Sequence, residues 1–339
     1  MRILPALLFL IAAVPIVGSE RSWSPAAAYA GVTALPVPPW QSPLLQDHAL
    51  AGRIWLPAEK RFIEPPELAQ RLSVADFVLL GEKHDNMDHH RLQAWALNQI
   101  IGSGRRPQVA FEMVSPEQEP ALRRHLAEHP GQTDGLDTAL DWPSSHWPDW
   151  PNYRPLFAAA LAAGLEIRPA NVPLAEIRSV ARQQTTPLAV RTLYRLDQPL
   201  DDAATAAMAQ EIRDAHCGQL PESMVPGMVD VQRARDAAMA LAMTRDAPAG
   251  AVLIAGAGHA RTDRGVPTQI VAMAPNRPVF SLGFIEVVEG RDGPAGYGES
   301  WGQPQPPFDA VWFTPRANDN DPCAGLADFM KKKQEDGKP

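Results

Sequence analysis

Four short apolar runs in this chain stop abruptly at polar groups, and that repeated stop constrains the fold more than any other feature. "FVLLGEKH" (77–84), "VAFEM" (109–113), "IRPAN" (167–171) and "LIAGAGHAR" (253–261) each read as a buried strand that delivers ionisable or amide side chains at its end. Helical spacing fills the intervals. "HHRLQAWALNQIIGSG" (89–104) closes on a glycine stop, and "SPEQEPALRRHLAEHPG" (115–131) opens with Ser115 as N-cap and Pro116 at the first position. "LFAAALAAG" (156–164), a helix from Pro173, and two longer patterns near 200–216 and 226–245 follow. "PVFSLGFIEVV" (278–288) and "FDAVWFTP" (308–315) close the chain as strands. Strand–helix alternation predicts an α/β fold, a mainly parallel central sheet flanked by helices. In such a sheet the carboxyl ends of the strands form the binding crevice. Glu82, His84, Glu112, Asn171, His259 and Arg261 are therefore expected on one edge.

The rest of the chain divides around this unit. "MRILPALLFLIAAVPIVGS" has a basic start and an apolar run too short for a comfortable membrane span, and Ala28-Tyr29-Ala30 offers a small-x-small cleavage site. Residues 1–30 are read as a signal peptide, with an uncleaved signal anchor as the alternative; no cysteine lies nearby to accept a lipid. The protein is thus expected to be exported to the periplasm or cell envelope. Residues 31–72 read as a Pro-rich arm in which "GRIWLP" offers a short strand, 73–316 as the α/β domain, and 317–339 as a C-terminal tail. Residues 133–155, rich in tryptophan and proline, read as an aromatic loop. A net charge of −8 argues against nucleic acid as a partner. In an oxidising compartment the two cysteines, Cys217 and Cys323, either form one disulfide tying the tail to the body or remain unlinked thiols.

Within "GEKHDNMDHH" (81–90) the bland reading covers part of the cluster: Asp85 or Asn86 caps the next helix and Asp88 sits in its first turn. It does not cover Glu82 or His84, which precede the cap. His89 and His90 point about 100° apart on a helix, so at most one of them lines the crevice. "AGAGHAR" (255–261) lacks the third glycine of a dinucleotide fingerprint and reads as a tight turn presenting His259. In "AHCGQLPESMVPGM" (215–228), His216, Cys217, Met224 and Met228 are soft or borderline ligands, although methionine at helical spacing, as at Met239 and Met243, is commonly core. In "DVQRARDAAMA" (230–240), Gln232, Arg233 and Asp236 make a polar helix edge that is either solvated or turned inward to hold an anion.

"LLGEKHDNMDHHRLQ", "FEM", "AHCGQLP…GMVDVQRARDAAMA" and "AGAGHARTDRGVP", in this order across about 75–270, together resemble the ChaN-type haem-binding uptake proteins of the Tiki superfamily. The resemblance implies an exported protein of iron or haem uptake, with haem as ligand, a homodimer with haem near the subunit contact, and envelope haem-transport components as partners. Family members are often lipoproteins, and the absent lipid-accepting cysteine departs from that pattern. His84, His216, His259 and Tyr153 are the axial candidates, with Arg233 and Arg261 for the propionates. The wider superfamily includes metal-dependent hydrolases of protease and esterase type that use a Gly-x-x-His element, a Glu and a later His. Glu82, His84, Glu112 and His259 match these positions, as catalytic residues and as donors to a divalent ion. That is the alternative function.

Overall fold

The computed structural model describes residues 34–183, 186–198, 200–321 and 323–324; the expected leader and the tail beyond 324 lie outside the described residues. One eight-stranded sheet organises the molecule, in the order β2-β1-β8-β7-β3-β6-β4-β5. Its strands are β1 (Ile54–Leu56), β2 (Arg61–Ile63), β3 (Phe77–Glu82), β4 (Gln108–Phe111), β5 (Ile167–Pro169), β6 (Ala251–Gly256), β7 (Val279–Glu286) and β8 (Ala310–Thr314). From β8 through β5 the pairs are parallel, while β1 pairs antiparallel with both β2 and β8. The sheet is therefore mainly parallel, with an antiparallel edge.

Among the described residues the helices are α1 (Pro65–Val74), α2 (Met87–Gly102), α3 (Glu119–Glu128), α4 (Leu136–Ala139), α5 (Trp150–Ala162), α6 (Leu174–Ala181), α7 (Leu188–Leu193), α8 (Asp202–Ala215), α9 (Val225–Thr244), α10 (Ala257–Ala260) and α11 (Val266–Met273). They cover both faces, and β3 shows how. All six of its residues are buried, as a central parallel strand requires. Val78 and Leu80 pack with α1, α2 and α5, whereas Phe77 and Leu79 pack with α9 and α11. That is the period-two alternation of a strand. Gly81 admits α10 onto β3: an added Cβ would lie 2.7 Å from Ala260 Cβ and 2.9 Å from Ala257 Cα.

Two stretches depart from the sequence expectation. The Pro-rich segment 31–72 contributes more than one short strand, since β1 and β2 join the sheet and α1 begins at its end. Pro65 and Pro66 occupy the first helical positions of α1, where no backbone N–H is needed. The aromatic loop at 133–155 contains α4 and the start of α5, and Pro151 is tolerated at the helix start for the same reason. There Phe157 stacks on Phe111 with centroids 4.1 Å apart, so α5 packs against the end of β4. Cys217 and Cys323 are disulfide-bonded, linking the turn after α8 to the C-terminal segment. Among the described residues no helix is long and apolar enough to cross a membrane.

Candidate functional site

The chain reverses direction across the sheet at β3: β4 and β5 are laid down on one side, β6 returns between β3 and β4, and β7 and β8 continue on the other. A crevice opens at the carboxyl ends of strands around such a point. Here Glu82 ends β3 directly beside Gly256, which ends β6. A cavity of about 280 Å³ is lined by His84, Glu112, His216, Arg235, His259 and Arg264, among others. His84, Glu211, Gly256 and Gly258 are shared with a shallower hollow of about 690 Å³ towards β7 and Arg316.

The wall under β3 is a buried polar network. Glu82 Oε1 accepts from Tyr153 Oη at 2.7 Å and pairs with His84 Nδ1 at 2.8 Å. Its Oε2 lies 2.9 Å from His90 Nδ1, and His90 Nε2 donates to the His84 carbonyl at 2.9 Å. Burial opposes the charge on Glu82, but the His90 charge and the bonds from both imidazoles hold its carboxyl well below the usual carboxylate range. Burial likewise opposes protonation of His84, yet its bond to Glu82 and the charges of Glu112 and Glu82 raise it to about 9. His90 is raised against its burial by the Glu82 charge.

Glu112 lies at the centre. Its Oε2 accepts the Gly256 N–H at 2.8 Å and lies 3.9 Å from His84 Nε2, while its Oε1 lies 3.6 Å from His259 Nε2. His259 Nδ1 pairs with Asp236 Oδ1 of α9 at 2.7 Å. Burial is outweighed by the negative charge of Glu112 and the Asp236 bond, so His259 too is raised. Asn171, after β5, donates to the Glu112 carbonyl at 2.9 Å and fixes the end of β4. Gly256 forms the floor, for a Cβ there would stand 3.0 Å from His84 Nε2. The opposite wall comes from α8 and α9, with Met208 and Ile212 as its apolar part. Next to it, His216 Nδ1 lies 2.7 Å from the Ile212 carbonyl. That bond requires a proton on Nδ1, so the neutral ring keeps its lone pair on Nε2.

A family model described as haem-binding uptake, Tiki superfamily, ChaN matches residues 68–270. The chain belongs to this family. Among solved structures, one of cofacial haem binding to ChaN of Campylobacter jejuni aligns at TM-score 0.59 and 20% identity, covering 76% of this chain and 95% of that one. A mutant of the erythromycin esterase EreC in its open conformation aligns at TM-score 0.44 and 10% identity, covering 80% of this chain and 99% of that one. Among curated proteins none matches. The ChaN likeness bears on the fold, and the esterase likeness falls too low to carry an argument.

The structure sorts the residues expected from the sequence of this ChaN-family chain. His84, Glu112, His216 and His259 line the cavity. Tyr153 is fully buried behind Glu82 and donates its hydroxyl there, so it does not present an axial oxygen. Arg261 is 1% exposed and committed to Asp263, Glu211 and the Trp301 carbonyl, so it offers nothing to a propionate. Arg233 pairs with Asp230 at 3.1 Å and with the Arg195 and Gln198 carbonyls, on the side of α9 turned to α7. Of the donors expected for a divalent ion, Glu112 stands between His84 and His259, and among the described residues no three His, Cys, Asp or Glu side chains are grouped to hold a metal ion. Glu82 turns its oxygens to Tyr153, His84 and His90 instead. The pair at 89–90 divides cleanly. His90 joins the Glu82 network, while His89 accepts from the Lys83 N–H and bonds Thr314 Oγ1, with burial pushing its imidazole down to about 3. Asn86 is the helix cap, accepting from the Asp88 and His89 N–H groups, and Asp88 sits in the first turn as expected, where it also holds the Gln41 and Ser42 N–H groups. Sequence reasoning passed over Arg235 and Arg264; their only signal was position, one turn along α9 from Gln232 and three residues past Arg261.

Proposed function

We propose that this protein binds haem in the crevice at the carboxyl ends of β3, β6 and β4, with His216 as the axial ligand, in haem handling in the cell envelope. The observation that carries the reading is the state of the three crevice histidines. Protons on His84 and His259 are held by Glu82, Glu112 and Asp236, and a protonated imidazole does not coordinate iron. His216 has its Nδ1 proton on a backbone carbonyl and its Nε2 uncommitted. The bond to the Ile212 carbonyl fixes the orientation of the ring. Met208 and Ile212 put apolar surface beside His216, and when bound the haem would bring its own redox and ligand-exchange chemistry. The apolar leader and the Cys217–Cys323 disulfide support an oxidising, extracytoplasmic location.

The test is an absorbance titration of the purified protein with haemin. A saturable, shifted Soret band at simple stoichiometry is expected, with the shift lost or redrawn in His216→Ala and kept in His84→Gln. A featureless response from the unaltered protein overturns haem binding. Saturable binding untouched by His216→Ala overturns the axial assignment alone.

A further inference from the structure

The cations around the crevice differ in what they already hold. Arg261 is spent on Asp263, Glu211 and a carbonyl; Arg264 is on Glu211. Lys83 lies 3.1 Å from both Asp85 and Glu286, and Arg316 is 2.9 Å from Asp319. Arg233 has Asp230. Arg235 is the exception. Among the described residues it makes no ion pair, and its Nε is shut off from solvent without a hydrogen-bond partner. It nevertheless lines the 280 Å³ cavity from α9, one turn from Gln232 on the same helix face and adjacent to Asp236. Its charge is felt at His259, where it opposes protonation.

The acids of the cavity are, by contrast, taken. Glu211 carries two guanidinium groups, Asp236 carries His259, and Glu112 carries the Gly256 N–H between two imidazoles. A buried guanidinium donor with no acceptor is costly, and in a native fold it calls for a partner. The partner that suits a planar fork of donors is a carboxylate. Building on the haem reading, we propose that Arg235 is the residue that binds a ligand carboxylate in this crevice, a propionate when the ligand is haem. The apolar surface of Met208 and Ile212 on α8 would then meet the body of the same ligand.

The experiment compares haemin with its dimethyl ester, in which both carboxylates are blocked, by absorbance titration in dilute detergent. The unaltered protein is expected to prefer haemin by about 10- to 100-fold, the size of one charge-assisted hydrogen-bonded contact. Arg235→Gln should bind both forms alike, near the affinity of the unaltered protein for the ester, and Arg235→Lys should recover part of the preference. Arg233→Gln should behave as the unaltered protein. Arg235→Gln should melt no lower than the parent, since no ion pair is lost; a large fall in Tm would mark a structural role and overturn the assignment. So would an equal affinity of the unaltered protein for the two porphyrins, or a preference that survives Arg235→Gln. If neither porphyrin binds, the haem reading fails, and a thermal-shift titration with succinate decides the carboxylate site alone. Stabilisation of the parent but not of Arg235→Gln upholds it, and no shift in either overturns it.

Discussion

Glu82 is buried behind one wall of the crevice and Arg235 lines the other, and the two are held in different ways. Glu82 has no exposed side-chain surface, and Tyr153, His84 and His90 surround its oxygens. Arg235 is half-buried with an unmatched donor. A buried carboxylate ringed by ion-pair and hydrogen-bond partners fixes geometry, whereas a guanidinium with no ion pair at a cavity wall is free to take up a ligand. On the proposed reading the β3 wall is scaffold, and the α8–α9 wall carries recognition.

Removing the keystone of the scaffold should cost most. Glu82→Ala leaves the His90 imidazole buried beside His84 without its counter-charge, and breaking a buried pair in this way costs about 3–5 kcal/mol. Denaturant unfolding should show it as a lower midpoint. A loss below about 1 kcal/mol would dissolve the distinction between the two walls, since substitutions of that size are routine at unremarkable sites.

The disulfide gives the next effect, on the other wall. Cys217 immediately follows His216, and its bond to Cys323 spans 106 residues. Cys323→Ser is expected to cost about 2–4 kcal/mol by releasing chain entropy in the unfolded state. It should also weaken haemin binding, while Glu82→Gln, which is nearly isosteric, leaves the ligand spectrum alone. If the Soret band is indifferent to Cys323→Ser, the α8 wall is held by packing rather than by the cross-link.

The smallest effect is a pH slope. His84 is raised from 6.5 to about 9 in the fold. Its contribution is therefore complete below 6.5 and is lost as pH rises through 9, because the folded state then gives up a proton that the unfolded state has already released. Tm of the unaltered protein should fall more steeply between pH 6.5 and 9 than that of His84→Gln. Parallel curves would mean that the Glu82 bond does not hold the proton.

The same contrast explains what was legible in the sequence. The scaffold wall is written locally: a strand that ends in Glu82 and His84, another in Glu112, and a third followed by His259 place those groups together once the sheet is known to be parallel. The state of each arginine is not local. Arg233, Arg235 and Arg261 look equivalent in the chain, and what separates them is the position of Asp230, Glu211, Asp263 and several carbonyls supplied by other elements. The prolines around Tyr153 give its stretch the look of a loop and mask α5, and on that helix it points behind the site rather than into it. The start of α1 was hidden by prolines in the same way.

Gly256 has a consequence for how this crevice can diversify. Its floor is main chain, since the Gly256 N–H supports Glu112 and any side chain there would press on His84. Mutation therefore has no route to deepen or line the bottom of the site without dismantling it. Changes in what the crevice accepts have to be made from α8 and α9, so the floor is inherited as a fixed plane and the selectivity of any descendant is written on one side.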